Sequence, residues 1–212
     1  MADFHQEGII TTLHALYEAF GREQYLLNLE KKLEEYAGHL RISLLLPSLH
    51  SQIQNPAVLD RIIGEILKVR YLHSVVAALG GAPEEVQFKE AREYFGRLRT
   101  PDRDVKVVWV EGPRIQNIFQ DIQKRAISTG VQGKGQSVWI TLGYLFARED
   151  CDVIALLDCD IVTYDRILLG QLIEPTANPN NDYEFRKGIP PDLSCRTVHE
   201  REGYEAFCHT LC

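Results

Sequence analysis

The sequence lacks a long apolar run and any cluster of basic residues. Its longest mostly apolar stretch is roughly ten residues, which is too short to cross a bilayer. Residues 1–8 are polar and acidic and contain no apolar core of a secretory signal. The net charge is −7, and an acidic chain without basic clusters is poorly suited to binding a nucleic-acid backbone. We therefore expect a cytoplasmic protein that has neither a membrane nor a nucleic acid as its partner.

Cysteine is scarce and shows no pairing pattern. The five cysteines are an odd number and include no CxxC pair, which argues against a disulfide framework. A zinc site near the end of the chain is an alternative use for some of them. Its ligands would be Cys195, His199, Cys208 and Cys212. The spacing CxxxH followed by CxxxC is not a strong zinc pattern, however.

The chain divides into three segments by pattern. With 45% hydrophobic residues, it can form one sizeable core. Residues 1–40 form an N-terminal helical extension, because apolar residues recur at helical spacing from residue 11. Residues 41–188 form the main domain. Residues 189–212 show neither a helical nor a strand period and are expected to be an irregular tail.

Strands and helices alternate through the main domain. Strands are expected at 42–46, where Pro47 stops the run, and at 72–79, 105–110 and 152–157. Helices are expected at 56–70, 84–98, 114–127 and 136–148. This alternation predicts an α/β fold with a mostly parallel sheet and helices on both faces. Ligands of such folds bind beyond the carboxyl ends of the strands.

Two carboxylates follow the last of these strands directly. Asp158 and Asp160 are two residues apart, so their side chains point to the same side of an extended chain. Hard cations such as Mg²⁺ take oxygen ligands and usually keep substrate phosphates in their shell. The pair therefore suits a divalent metal, Mg²⁺ or Mn²⁺, bound against a diphosphate. Acidic residues are common after strands, so a solvated turn is the alternative.

A glycine-flanked lysine lies at the start of the preceding helix. The glycines of Gly133-Lys134-Gly135 allow close approach of the backbone, and a helix N-terminus favours anions. Lys134 adds a charge that suits a phosphate group. A P-loop would require glycine at position 128 and serine or threonine at 135, whereas the chain has Ser128 and Gly135. No GxGxxG follows the first strand, so a dinucleotide fingerprint is also excluded.

The stretch GKGQSVWITLGYLFAREDCDVIALLDCDIV resembles the core of the glucosyl-3-phosphoglycerate synthases, which are retaining glycosyltransferases of the GT-A type. The LLPSL run of the first strand resembles the opening strand of that family. The resemblance covers roughly residues 41–188 and implies a GT-A (Rossmann-like) fold. It also implies transfer of glucose from a nucleoside-diphosphate glucose to 3-phosphoglycerate, with retention of the anomeric configuration.

The resemblance assigns roles to particular residues. It places Pro47, Ser48 and Leu49 beside the nucleoside. It places Gly133 and Lys134 at the diphosphate, with Asp158 and Asp160 holding the metal and Asp158 also facing the donor. It assigns no catalytic residue in this chain. A homodimer is the assembly we expect.

The chain departs from the family pattern in two places. Many members have Asn-Glu after the first strand, where the carboxylate helps to hold the base, but this chain has His50-Ser51-Gln52. Many also have Asp-x-Gly-Ser after the second strand, where this chain has Leu79-Gly80-Gly81-Ala82. Both departures concern the choice of nucleotide and leave the diphosphate site intact.

The tail is expected to be out of frame. One back-translation of residues 188–212, read one base later, contains Gly-Arg-Val-Thr, which resembles the acceptor-binding loop of the family. We therefore expect a frameshift near codons 186 to 189 that replaced the authentic C-terminal half. The gene sequence tests this directly, because its bases must permit the shifted reading. A chain without that half would bind a nucleotide sugar and turn nothing over, since catalysis needs donor and acceptor held together.

Two other functions remain as alternatives. A sugar nucleotidyltransferase would also bind a sugar nucleotide, but that class tends to have a glycine-rich signature after the first strand, and LPSLHSQIQ has no glycine. A non-catalytic binding or scaffold protein would use the two aspartates only as a solvated turn. Metal-dependent affinity for a nucleotide sugar would separate the enzyme from the scaffold.

Overall fold

The structure, a computed structural model, describes residues 21–181 and two short segments, 185–188 and 206–210. The first half of the predicted helical extension and most of the predicted tail lie outside the described residues. So do the side chains of the alternative zinc site. The described part is built around one sheet with the strand order β3-β2-β1-β4-β6-β5. Its strands are β1 Ile42–Leu49, β2 Ser74–Gly80, β3 Asp104–Trp109, β4 Val153–Leu156, β5 Phe185–Gly188 and β6 Ala206–Thr210.

The first four strands are parallel to one another, and the last two run antiparallel. β1 lies between β2 and β4 and is parallel to both, and β3 is parallel to β2. β6 pairs antiparallel with β4 and with β5. The sheet is therefore mostly parallel, as predicted. The strand at Ala206–Thr210 lies in a stretch whose sequence showed no strand period.

The first strand continues through Pro47, where the sequence predicted that it would stop. Pro47 stands opposite Ala78 in the ladder with β2, and the strand ends at Leu49. On its other side, β1 pairs with β4 only from Ile42 to Leu45. Proline cannot donate a ladder hydrogen bond, so it is tolerated where a strand is paired on one side only. The prediction was wrong here because that local gap in pairing is not visible in the sequence.

Helices connect the strands and cover both faces of the sheet. They are α1 Arg22–Ala37, α2 His50–Gln54, α3 Ala57–Ile66, α4 Glu85–Gly96, α5 Pro113–Lys124, α6 Lys134–Arg148 and α7 Arg166–Ala177. The four helices predicted in the main domain correspond to α3, α4, α5 and α6. None of the described helices is both long and apolar enough to cross a membrane.

The alternation of side chains along the strands divides the core between two faces. Leu44 and Leu46 of β1 point to the face that α1, α3, α4 and α7 cover. Leu45 points to the opposite face, where it packs with Val76 of β2 and Leu145 of α6. Because successive residues of a strand point to opposite sides, a continuous apolar run such as this one needs cover on both. The predicted α/β fold with helices on both faces is thus confirmed.

The α1 helix is held on the main domain by packing and by ion pairs. Leu29 and Leu33 of α1 are buried in the larger core cluster. Glu30 of α1 and Glu65 of α3 both contact the Arg166 guanidinium, at 2.8 Å and 3.2 Å. Burial raises the pKa of Glu30, although the Arg166 charge opposes that shift. The described part of the helical extension therefore packs in a defined position against α3 and α7.

Candidate functional site

The carboxyl ends of β1 and β4 meet at one edge of the sheet. β1 ends at Leu49, and β4 ends at Leu156, two residues before Asp158. The two strands are parallel neighbours, so the residues that follow them lie side by side. The N-terminus of α6 reaches the same edge, because Lys134 in its first turn contacts Asp158. The sheet thus brings together the two motifs that the sequence singled out.

A close ion pair links these two motifs. The Lys134 Nζ atom lies 2.5 Å from Oδ2 of Asp158, across 24 residues of sequence. The Asp158 side chain is 1% exposed, whereas that of Lys134 is 47% exposed. A buried carboxylate is costly unless a positive charge or hydrogen bonds offset its loss of hydration. The cation that offsets this cost at Asp158 is the ammonium of Lys134.

Asp160 completes the pair of carboxylates and is exposed. No group of three or more His, Cys, Asp or Glu residues is clustered as a metal site within the described part of the chain. A metal here would take oxygen ligands from two carboxylates and fill its shell with phosphate oxygens or water. Mg²⁺ accepts such a shell, since it is commonly bound through one or two carboxylates plus substrate phosphates. The donor set fits that ion, and the cation already held at Asp158 shows that the position suits positive charge.

The cysteine between the two aspartates is buried and is not accessible from the protein surface. Cys159 is a free thiol and is 2% exposed. Burial, followed by the negative charges of Asp158 and Asp160, raises the pKa of the Cys159 thiol well above its ordinary value. The thiol is therefore protonated and inert at neutral pH. It anchors the turn in the core while its neighbours face the edge of the sheet.

Gly133 sets the geometry of the α6 N-terminus. Its backbone has φ 155° and ψ −169°, a conformation that side chains rarely allow. Its carbonyl accepts hydrogen bonds from the backbone N–H of Ser137, at 3.0 Å, and from the Ser137 hydroxyl, at 3.1 Å. The N–H groups of the first helical turn have no helical partner and point out of the helix end. The geometry of this helix end is compatible with the anion site that the sequence predicts, and that role stays a prediction.

The three residues predicted beside the nucleoside differ in exposure. Pro47 and Ser48 are buried within β1, and only Leu49 is exposed, at 51%. The backbone N–H of Leu49 donates to Oε1 of Gln52 at 2.8 Å, which fixes the turn into α2. The side chain of Leu49 is therefore exposed enough to contact a ligand, whereas those of Pro47 and Ser48 are buried in the sheet.

The residue that follows β1 is paired with a helix on the same chain. His50 is buried, and its Nε2 lies 2.8 Å from Oε2 of Glu90 in α4. The pair fastens α2 to α4.

One carboxylate at the sheet edge was missed by the sequence analysis. Glu111 follows β3, and its Oε1 accepts the backbone N–H of Gly81 at 2.8 Å. A signal for it was present, because Glu111 is the first acidic residue after its strand, as Asp158 is after β4. The contact between Lys134 and Asp158 was also missed, since the sequence assigned the lysine to a phosphate.

Comparison with known proteins gives two curated relatives. Glucosyl-3-phosphoglycerate synthase of Persephonella marina is 40% identical over 188 residues, covering 89% of this chain and 44% of the relative. The protein of the same name from Methanococcoides burtonii is 36% identical over 202 residues, covering 94% of this chain and 46% of the relative. The chain thus spans less than half the length of the curated relatives it matches. No family model matches the chain.

Solved structures with the same fold belong to an enzyme of the same name. A crystal structure of glucosyl-3-phosphoglycerate synthase from Mycobacterium tuberculosis in complex with Mn²⁺, UDP and glucosyl-3-phosphoglycerate has a TM-score of 0.50 and 15% identity. The match covers 85% of this chain and 60% of that one. A structure of the same enzyme with Mg²⁺ and UDP gives the same TM-score and identity. These structures confirm the GT-A fold, and the curated relatives confirm the predicted resemblance.

Proposed function

We propose that this chain is the donor-binding half of a glucosyl-3-phosphoglycerate synthase, which transfers glucose from a nucleoside-diphosphate glucose to 3-phosphoglycerate. The observation that carries the proposal is the buried Asp158 carboxylate held by Lys134 where β1, β4 and α6 meet. The two curated relatives support it, because both are named glucosyl-3-phosphoglycerate synthase and both are 36–40% identical to this chain. The related M. tuberculosis enzyme contains UDP together with Mn²⁺ or Mg²⁺.

Asp158 and Asp160 are the residues that would hold the divalent metal, Mn²⁺ or Mg²⁺. Their carboxylates supply oxygen ligands of the type these ions prefer. The ammonium of Lys134 shows that a positive charge is stable against Asp158. When bound, the metal would stabilise the negative charge that develops on the departing diphosphate.

The remaining donor contacts come from α6 and β1. The N–H groups of the first turn of α6 hydrogen bond to diphosphate oxygens, because Gly133 leaves this end of the helix open. With a divalent metal at Asp158, the ammonium of Lys134 would be available to contact a phosphate oxygen. Lys134 is half exposed, so this contact requires only rotation of its side chain. Leu49 provides an exposed apolar surface for the nucleoside.

The acceptor, 3-phosphoglycerate, completes the reaction by attacking the anomeric carbon through its hydroxyl, with retention of configuration. The chain spans less than half the length of its relatives, so we assign the acceptor pocket to the other half. Donor binding and glucose transfer are accordingly separate properties. The cytoplasmic location and the homodimer also belong to this proposal.

Calorimetric titration with UDP-glucose and GDP-glucose, with and without Mn²⁺, tests the donor site. We expect binding that requires Mn²⁺ and weakens about 100-fold or more in an Asp158→Ala, Asp160→Ala variant, because both proposed metal ligands are lost. Asp121→Ala is the matched control, since Asp121 is exposed and pairs only with Lys124 on the surface of α5. The proposal is contradicted if the folded protein binds the nucleotide sugar equally well with and without Mn²⁺, or does not bind it at all.

Transfer is measured separately, as release of UDP from UDP-glucose in the presence of 3-phosphoglycerate. We expect donor binding by this chain without turnover, because the proposed acceptor pocket lies in the other half. Turnover by the chain alone would place the acceptor pocket within it.

A further inference from the structure

The ends of three strands meet the first turns of α6 at one place, which we call the strand-end junction. Its centre is Gly80, the last residue of β2. A Cβ atom added to Gly80 would lie 3.5 Å from Oγ of Ser137, 3.6 Å from Cδ2 of Leu49 and 3.9 Å from Oε1 of Glu111. These atoms come from α6, from the end of β1 and from the residue after β3. The strand-end junction thus adjoins the proposed donor site, because Leu49 and α6 belong to both.

Glu111 places a carboxylate at this junction, and one of its two oxygens has a hydrogen-bond donor among the described residues. Its Oε1 accepts the N–H of Gly81, whose φ of 66° turns the chain at the end of β2. Its Oε2 is buried and accepts no hydrogen bond from the described residues. An ionised oxygen that is shielded from water and lacks a donor is unfavourable, so such an atom calls for a partner.

The neighbouring residues do not supply that partner. After β2 the chain has two glycines, Gly80 and Gly81, which carry no side chain. After β1 it has His50, whose Nε2 contacts the Glu90 carboxylate of α4. Glu111 is therefore the carboxylate that the described residues place against the glycine pair.

Leu49 packs over the glycine pair of the strand-end junction. Its Cδ2 lies 3.6 Å from the position of a Gly80 Cβ and 3.7 Å from that of a Gly81 Cβ. The side chain is half exposed, so it can change rotamer on a nanosecond timescale or faster. After such a rotamer change, a flat ring could pack on the Leu49 side chain. The ring would then approach the two glycines and the Glu111 carboxylate next to them.

We propose that Glu111 selects the nucleoside of the donor, with Oε2 accepting a hydrogen bond from a ring N–H of the base or from a ribose hydroxyl. The proposal rests on the proposed donor site. The bond from Gly81 fixes Oε1, so the second oxygen is presented in one orientation. The absence of side chains at Gly80 and Gly81 leaves room for the ring to approach.

The test compares wild type with Glu111→Gln by calorimetry in the presence of Mn²⁺. The glutamine can still accept the Gly81 N–H through its carbonyl, but it then presents an amide N–H₂ donor to the nucleoside. We expect UDP affinity to fall about 10- to 100-fold, the loss typical of a hydrogen bond to a charged group. Glu85→Gln is the control, because Glu85 is exposed on α4 and pairs with Lys89.

Three further probes identify the group that is recognised. Pyrophosphate should bind wild type and Glu111→Gln equally, because it has no nucleoside. 3-Methyl-UDP lacks the ring N–H and 2′-deoxy-UDP lacks a ribose hydroxyl. Wild type should discriminate against one of them, and Glu111→Gln should lose that discrimination.

The outcomes separate this proposal from the donor site itself. If wild type binds no nucleotide, the donor site fails and Glu111 has no ligand to select. If wild type binds UDP and the variant binds it equally well, only the role of Glu111 is overturned. Equal weakening of pyrophosphate binding, or discrimination that persists in the variant, also overturns it.

Discussion

At the residue scale, the site depends on how the charge of Asp158 is balanced. The carboxylate is almost fully buried, yet it lies at the edge where ligands bind. Lys134 balances it in the free protein through a contact of 2.5 Å. A divalent metal would take over that role and release the lysine for a phosphate. The pair of Lys134 and Asp158 is therefore central to the proposed donor site.

Replacing Lys134 with alanine tests this exchange. We expect Lys134→Ala to lower the free energy of unfolding by about 1 to 2 kcal/mol, less than a fully buried pair would, because the lysine is half exposed. In a domain of this size that corresponds to a fall in melting temperature of about 2 to 8 °C. Mn²⁺ should restore most of the loss, since it replaces the missing positive charge.

The matched control is Lys124→Ala, which removes an exposed lysine that pairs with Asp121 on α5. It should leave the melting temperature unchanged with and without Mn²⁺. Thermal unfolding followed by circular dichroism measures both variants. The exchange is refuted if Mn²⁺ raises the melting temperature of wild type and Lys134→Ala by the same amount.

The sequence located these residues but not the relation between them. A strand followed by Asp158 and Asp160, and a glycine-flanked lysine before a helix, are local patterns that can be read directly. The contact across 24 residues is a property of the folded sheet. Glu111 was missed for the same reason, because its significance depends on Gly81 of a neighbouring strand. The roles of all the proposed site residues remain predictions.

At the element scale, the position of α1 depends on a close contact with α7. A Cβ atom added to Gly170 of α7 would lie 2.7 Å from Cδ2 of Leu29 in α1. The same atom would lie 3.4 Å from Cδ1 of Leu33. Both leucines are buried. The absence of a side chain at Gly170 therefore sets the distance between the two helices.

Substitution of Gly170 tests this packing. We expect Gly170→Ala to lower the free energy of unfolding by about 1 to 2 kcal/mol, because overpacking outweighs the helix propensity gained from alanine. In a Leu29→Ala background, the same change should be neutral or stabilising, since the clashing atoms are gone. Urea unfolding of the two single variants and the double variant measures the coupling.

Gly64→Ala is the control for helix propensity. Gly64 lies within α3, and a Cβ atom there would meet nothing within 4 Å. We expect it to stabilise the protein by about 0.5 to 1 kcal/mol. Additive effects of Gly170→Ala and Leu29→Ala would show that α1 does not pack on α7 as described.

Most elements of the main domain could be predicted, and the exceptions have physical reasons. The strand–helix alternation indicated β1 to β4 and the helices between them. The α7 helix was not predicted, because buried residues lie around most of its circumference and leave no single apolar stripe. The course of β1 through Pro47 depends on the limited length of β4, which the residues of β1 do not encode.

At the scale of the whole molecule, the larger core cluster joins the helical extension to the site. It contains Leu33 of α1, Leu44 of β1 and Cys159 from the turn between the two aspartates. A change that unfolds this cluster should therefore also disrupt the proposed donor site. The division at residues 40 and 188 and the out-of-frame origin of the tail stay predictions, and the latter requires the gene sequence.

Three buried ionisable groups in that cluster predict how stability varies at alkaline pH. Cys159, Tyr71 and Tyr164 all belong to it. Burial is the largest cause that raises the pKa of each of them in the folded protein. In the unfolded chain, the thiol ionises near its ordinary pKa of 9.0 and the phenols near 10.0. Above those values the unfolded state loses protons that the folded state retains, so stability falls as pH rises.

The Cys159→Ala variant isolates the first of these groups. Each group contributes a slope of up to about 1.4 kcal/mol per pH unit once its unfolded form ionises. Between pH 8 and pH 10, wild type should therefore lose about 1 to 1.5 kcal/mol more than Cys159→Ala, as measured by urea unfolding. The tyrosines act in both proteins above pH 10 and cancel in the comparison. If wild type and Cys159→Ala lose the same free energy of unfolding, the turn that holds Asp158 and Asp160 opens to solvent without global unfolding. The proposed donor site would then not be part of the cooperative core.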